Sequence, residues 1–237
     1  MNSNTFYSRR GVLALLAAGT ASTLAGCASS GSPRSMSATP VAFAPAPELR
    51  AGRSAELDAM YGSVVDGGFV IPAVPYWEIN PRYYRQRVSD PTGERPGTVV
   101  VDTASRFLYL VEPGGTAMRY GVGIGREGFA WEGAGVIEWR QKWPKWTPPA
   151  EMIARQPQLA RYSAENGGQP PGLDNPLGAR ALYIFQGGKD TLYRLHGSPE
   201  WRSIGKAVSS GCVRLMNQDV IDLYERVPEN ARIVVWQ

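Results

Sequence analysis

The chain holds two cysteines and one histidine, and one cysteine lies near the histidine toward the carboxy terminus. His196 sits in Leu195-His196-Gly197-Ser198, and Cys212 in Ser209-Ser210-Gly211-Cys212-Val213-Arg214-Leu215. A thiol is a useful nucleophile only as thiolate, and a free cysteine with a pKa of about 8.5 is mostly protonated at neutral pH, so it needs a base. His196 is the only side chain able to supply an imidazole. Gly211, without a Cβ, permits a tight turn before the cysteine, and the backbone N–H groups of Gly211 and Cys212 could then hold the oxyanion of a tetrahedral intermediate. The bare pair is equally compatible with a buried structural cysteine and a core histidine that never meet.

The neighbouring residues add fixed positions. The stretch from Leu195 to Leu215, with Ile204-Gly205-Lys206-Ala207-Val208 leading into Ser209-Ser210-Gly211-Cys212, resembles the active-site signature of the YkuD-type L,D-transpeptidases. That signature is a His-Gly, a spacer, then Ser-His-Gly-Cys followed by an apolar residue and Arg. One position departs: Ser210 stands where a second histidine is more usual, which touches an auxiliary hydrogen bond and leaves the base intact. The resemblance implies a mostly β fold, a YkuD-like sandwich or barrel of mixed strands with one or two short helices behind the active-site loop. It implies Cys212 as nucleophile and His196 as general acid and base, with Gly211, Ser210 and Gly197 around the oxyanion, Gly197 contributing shape or its carbonyl.

By the same resemblance, Cys212 attacks the third residue of a peptidoglycan stem peptide, releases the terminal D-alanine, and passes the acyl group to an amine of another stem. Arg214, Tyr183 and Asn175 are the candidate substrate-binding residues, although Arg214 suits bracing of the loop equally well. A hydrolase that uses water as acceptor, an L,D-carboxypeptidase or amidase, is an alternative on the same scaffold. A non-catalytic wall-binding lipoprotein is another, against which the intact Cys212 and His196 argue. No cofactor is implied, and one histidine with two separated cysteines cannot assemble a zinc site on the usual ligand counts.

The elements that must position these residues follow from hydrophobic patterning. From Thr98 the chain reads as strands with one buried face: Val99 to Val101, Phe107 to Val111, then Met118, Tyr120, Val122 and Ile124 at alternate positions. Gly123, Gly125 and Gly128 spell G-x-G-x-x-G, but no long helix follows, so a nucleotide site is rejected. Trp131, Trp139, Trp143 and Trp146 are either sheet packing or the wall of a groove. Residues 150–178 begin as a helix at Glu151 to Gln156 and continue as a long Gly/Pro-rich loop of the kind that is usually functional, and the resemblance implies that it is a substrate-facing flap. Ala181 to Phe185 and Thr191 to Leu195 form a hairpin around Gly187-Gly188 that delivers His196. Asn217 is expected to cap a helix carrying Val220, Leu223, Tyr224 and Val227, stopped by Pro228, and Ile233 to Trp236 to close the sheet as a last strand. The catalytic domain is thus placed at 98–237, preceded at 51–97 by an irregular extension with a short helix near Ala55 to Tyr61.

The amino terminus has a different grammar. Arg9-Arg10, a short apolar run and a small-residue stretch describe an export signal over residues 1–26, and the paired arginines resemble a twin-arginine signal. The run is too short and too rich in Gly, Ser and Thr for a stable membrane span. Leu24-Ala25-Gly26-Cys27 resembles a bacterial lipoprotein box, in which Cys27 is lipidated and anchors the chain to a membrane; the alternative is an ordinary cleaved signal. Residues 27–50, rich in Ala, Ser and Pro, read as a tether. The expected location is therefore the periplasm or cell envelope. Without Arg9 and Arg10 the chain has 23 basic and 21 acidic residues, a balance that does not support nucleic-acid binding.

Overall fold

The computed structural model describes residues 52–125, 131–209 and 212–237. The export signal, the tether, Cys27, Ser210 and Gly211 lie outside the described residues. The expected first helix, α1 (Ala55–Met60), is capped by Ser54, whose hydroxyl accepts from the Leu57 N–H. A hairpin of β1 (Val64–Asp66) and β2 (Phe69–Ile71) follows, then two 3-10 turns and β3 (Gln86–Ser89). Beyond these come β4 (Val99–Asp102), β5 (Phe107–Glu112), β6 (Thr116–Gly121), β7 (Ile124–Gly125) and β8 (Gly133–Lys142). The remainder is α2 (Ala150–Arg155), β9 (Arg180–Gln186), β10 (Lys189–Ser198), β11 (Ala207–Ser209), β12 (Val213–Met216), α3 (Asn217–Arg226) and β13 (Ala231–Trp236).

Nine strands form one mixed sheet in the order β12-β10-β9-β8-β13-β4-β5-β6-β3, in which β10/β12 and β13/β4 are parallel pairs. After β6 the chain returns to the opposite edge: Gly123 exchanges backbone hydrogen bonds of 2.9 and 2.8 Å with Arg214, and β7 pairs with β11. The sheet therefore curls around a single main core, lined by alternate residues such as Val101, Leu108, Tyr120, Ile137, Ile184, Leu195, Val213 and Ile233. This is the mostly β, mixed-strand architecture expected, with α3 behind the cysteine loop burying Val220 and Leu223.

Three expectations change. The run Val99-Val100-Val101 is buried on both faces, because Val99 and Val101 join the main core while Val100 packs with Phe107 and Tyr109 on the reverse side. A continuous apolar run is what a central strand requires. For the same reason β13 is not a closing edge: it lies mid-sheet between β8 and β4, and its Val234 and Val235 pair with Val100 and Val101. Asn217 does not cap α3. It is the first helical residue, and its Oδ1 accepts from the Ala179 N–H at 3.0 Å, tying the helix to the chain entering β9.

The extension over 51–97 is also more ordered than its prolines suggest. Its β3 completes the sheet beside β6. Asp66 at the end of β1 receives a two-pronged ion pair from the buried Arg180, at 2.7 and 2.8 Å, and a 2.7 Å bond from the Trp143 indole. Arg180 and Trp143 together hold the Asp66 carboxyl below the usual carboxylate range. Tyr61, Tyr76 and Tyr84 pack with Ile204 and Met216, so the extension buttresses the segment between His196 and α3. Among the described residues no helix is long and apolar enough to cross a membrane.

A buried carboxyl marks this junction. Asp219, in the first turn of α3, is fully buried, with Arg85 Nη1 3.8 Å away, and burial raises its pKa to about 7. Because the folded value lies above the unfolded one, the stabilising contribution is complete below about pH 4 and is lost as pH rises through 7. Asp219→Asn is therefore expected to raise the melting temperature by about 3–8 °C at pH 8 and by less at pH 5, the two proteins converging below about pH 4 in thermal unfolding scans.

Candidate active site

The positions of His196 and Cys212 follow from strand register. β10 and β12 run parallel with Leu195 opposite Val213 and His196 opposite Arg214. Leu195 and Val213 point into the core, both fully buried, so the alternation of a strand turns Arg194, His196 and Arg214 to the other face. Cys212 immediately precedes β12 and is hydrogen-bonded by the backbone of Arg194, two residues before His196. The hairpin that carries His196 turns through Gly187 and Gly188 with φ of 58° and 74°, the left-handed pair a two-residue turn demands.

One hydrogen bond decides the chemistry of the imidazole. His196 Nδ1 lies 2.6 Å from the Gly197 carbonyl oxygen, and a carbonyl only accepts, so the proton sits on Nδ1 and Nε2 is left as the basic nitrogen. Gly197 can present that carbonyl because nothing else fits. A Cβ there would overlap Asn217 Oδ1 and stand 2.9 Å from Val220 Cγ1, so the Asn217 bond to Ala179 and the His196 orientation share one packed junction. His196 is 4 % exposed. Desolvation lowers its pKa to about 4 against the pull of the Gly197 and Pro176 carbonyls, with Arg214 and Arg194 lowering it further.

Burial also pushes the half-buried Cys212 thiol up, opposed by a backbone hydrogen bond from Arg194 and by the Arg194 and Arg214 charges. The sequence expectation is that His196 takes the Cys212 proton. The two shifts favour a resting pair of neutral thiol and neutral imidazole, with proton transfer coupled to attack. Arg194 was not singled out from sequence. It is held by Asp190 through two 2.7 Å bonds, with its guanidinium 4.3 Å from the Tyr183 ring centroid.

Two substrate-contact expectations need correction. Asn175 is 1 % exposed; its amide donates to the Pro144 and Pro170 carbonyls at 3.0 Å while its oxygen accepts from the Leu177 N–H. It braces the 150–178 loop from within, and its hydrogen-bonding capacity is spent on that. Tyr183 is 7 % exposed, covered by Trp139 at 4.2 Å and by Arg194, with its hydroxyl bonded to Gln141. What faces solvent at this place is Trp139. Arg214 pairs at 3.0 Å with a Glu200 carboxylate that is 71 % exposed. The G-x-G glycines have a structural use, Gly123 bridging to Arg214 and Gly125 pairing with Ser209. Among the described residues no three His, Cys, Asp or Glu side chains cluster as metal ligands.

The chain is similar in sequence to known proteins. The chain is 36 % identical over 140 residues to the probable L,D-transpeptidase YbiS of Escherichia coli K12, covering 57 % of this chain and 43 % of that protein. It is 32 % identical over 157 residues to the probable L,D-transpeptidase ErfK/SrfK of the same organism, covering 63 % and 47 %. The chain thus spans less than half the length of these curated relatives. A solved structure from Brucella melitensis, described as a probable carnitine operon oxidoreductase, is 44 % identical with a TM-score of 0.46, covering 68 % of this chain and 99 % of that one.

The lowered His196 pKa makes a kinetic prediction. The His196 imidazole is neutral, and so able to accept a proton, at pH values above about 4. Acylation of Cys212 by an activated acyl donor should therefore keep its rate from pH 7 down to about pH 5 and lose it in a single step near 4; a fall centred near pH 6.5, read by stopped-flow or mass spectrometry, would mean that the buried imidazole titrates as if exposed. The L,D-transpeptidase catalytic domain family, YkuD, matches residues 96–235, more than half of the chain, and the protein belongs to that family.

Proposed function

We propose that this protein is an L,D-transpeptidase that acts on peptidoglycan stem peptides through a Cys212 acyl-enzyme. The observation that carries the reading is the Nδ1 bond to the Gly197 carbonyl, which leaves the His196 Nε2 lone pair as the ring's basic site, on the strand whose Arg194 backbone bonds Cys212. In the first half-reaction the Cys212 sulfur attacks the carbonyl carbon of the third stem residue. The thiol proton passes to Nε2, the amide C–N bond breaks, and that proton leaves on the amine of the released D-alanine. In the second half an acceptor amine attacks the thioester, gives a proton to Nε2, and the departing sulfur recovers it. The Gly197 and Pro176 carbonyls favour the imidazolium of each tetrahedral stage. Gly211 and Ser210 are proposed to complete the oxyanion site. Arg214 and Arg194 supply the positive field for an anionic stem.

Purified protein incubated with tetrapeptide-bearing muropeptides should release D-alanine and yield a product joined to an amine, resolved by mass spectrometry; D-alanine release without a joined product would identify a hydrolase. A carbapenem should add its mass to the protein at Cys212 and not to Cys212→Ala. His196→Ala should slow that acylation by about two to four orders of magnitude, with partial rescue at high pH.

The chain is further proposed to be exported through its amino-terminal signal and held in the envelope by lipid on Cys27. Leu24 to Cys27 and the following tether support this. Cys27→Ser should shift the protein from the membrane to the soluble fraction and abolish labelling with a fatty-acid probe, whereas unchanged fractionation with no label on the wild type would reduce the box to coincidence.

A further inference from the structure

Trp139 should be hidden by the rule that orders its strand. Ile137 and Trp139 are two residues apart on β8, so simple alternation would turn both into the core. Ile137 does so, 1 % exposed and opposite Ile184. Trp139 instead lies opposite Tyr183, one register position further along β9, because Glu138 is an extra residue between the two pairs. Such a bulge re-aims the side chain that follows it, and bulges of this kind gather beside active sites. The result is an indole 52 % exposed on the face that carries Arg194.

The indole is also held in place. Its ring lies 4.2 Å from that of Tyr183 at an interplanar angle of 31°, and Tyr183 is backed by the Arg194 guanidinium, itself clamped by Asp190. Paired positions carry this row across three strands, from Trp139 to Tyr183 to Arg194, and Arg194 lies beside Cys212, to which its backbone hydrogen-bonds. Gln141, next to Tyr183 and half-buried, adds an amide close to the rings. A rigid aromatic face edged by an amide suits a pyranose ring, whose C–H face packs on an indole while its hydroxyls bond polar neighbours.

Distance selects which sugar. Three strand spacings separate Trp139 from Cys212, about 14 Å. A stem peptide acylated at its third residue runs back from the sulfur by three residues, at most about 11 Å of chain, and its next unit is the sugar that bears it. We propose that Trp139 is the platform on which the glycan sugar carrying the donor stem peptide stacks. This rests on the donor assignment made above, and it makes the enzyme selective for stems still attached to sugar.

The test compares two donors, a free tetrapeptide and the same tetrapeptide on its disaccharide, with wild type, Trp139→Ala and Trp139→Phe, alongside carbapenem acylation as a control for the nucleophile. Wild type should use the sugar-bearing donor with a kcat/KM at least about tenfold higher than the free peptide, the scale of one buried aromatic contact. Trp139→Ala should abolish that preference through the sugar-bearing donor alone and Trp139→Phe should keep part of it, with free-peptide turnover and carbapenem acylation within about twofold of wild type. Equal use of both donors by wild type, or an equal loss on both donors in Trp139→Ala, would overturn the platform while leaving the transpeptidase reading standing. Turnover of neither donor by a wild type that still acylates with carbapenem would remove the donor assignment, and the platform with it.

Discussion

The site depends on keeping one imidazole neutral and correctly oriented inside a closed sheet. Burial makes the charged form of His196 expensive, and the 2.6 Å bond to the Gly197 carbonyl fixes which nitrogen holds the proton. Neither condition is local to His196. The carbonyl can be presented only where no side chain stands on residue 197, because Asn217 and Val220 occupy that space, and Asn217 is placed there by its bond to Ala179. The start of α3, the entry to β9 and the end of β10 therefore form a single packed junction, and His196 is one of its parts.

A second constraint is closure. The two residues that precede Cys212 follow β11, which is paired with β7, and the strand that follows begins at Val213 beside β10. Gly123 bonds Arg214 directly, so Cys212 lies between two anchored segments. From outside, the tyrosine cluster of the extension packs on Ile204 and Met216, which precede and follow Cys212 in the chain. The ion pair of Arg180 with Asp66 fastens the same extension to the sheet. A buried pair of this sort is costly to desolvate and strongly destabilising to break, so its worth here lies in fixing where the extension sits. That arrangement gives residues 51–97 a mechanical part in the site although they carry none of its chemistry.

The working face of the sheet is organised in two rows. One holds His196 and Arg214 in register, the other Tyr183, Arg194 and, through the bulge at Glu138, Trp139. Charge and aromatic surface thus approach Cys212 from one side along paired positions. Because paired residues on a sheet face are spaced by the hydrogen-bond ladder itself, such a row resists distortion better than a loop would.

What was legible in the sequence was whatever is local. The single imidazole after an apolar strand, the Gly187-Gly188 turn and the Ser54-capped helix are short-range patterns set by turn geometry, capping and alternation. The mostly β class was readable for the same reason, since period-2 patterning is a property of each strand alone. Only the tertiary structure could decide what needs a partner from elsewhere in the chain. β13 became central because β4 and β8 both had unpaired edges for it, while Asn175 and Tyr183 lost their place against substrate to carbonyls and rings supplied by distant segments. Trp139 shows the reason most plainly. Its own sequence context places it with Ile137 in the core, and one extra residue in the register with β9 turns it out to solvent, a choice written in the pairing of two strands and in neither strand by itself.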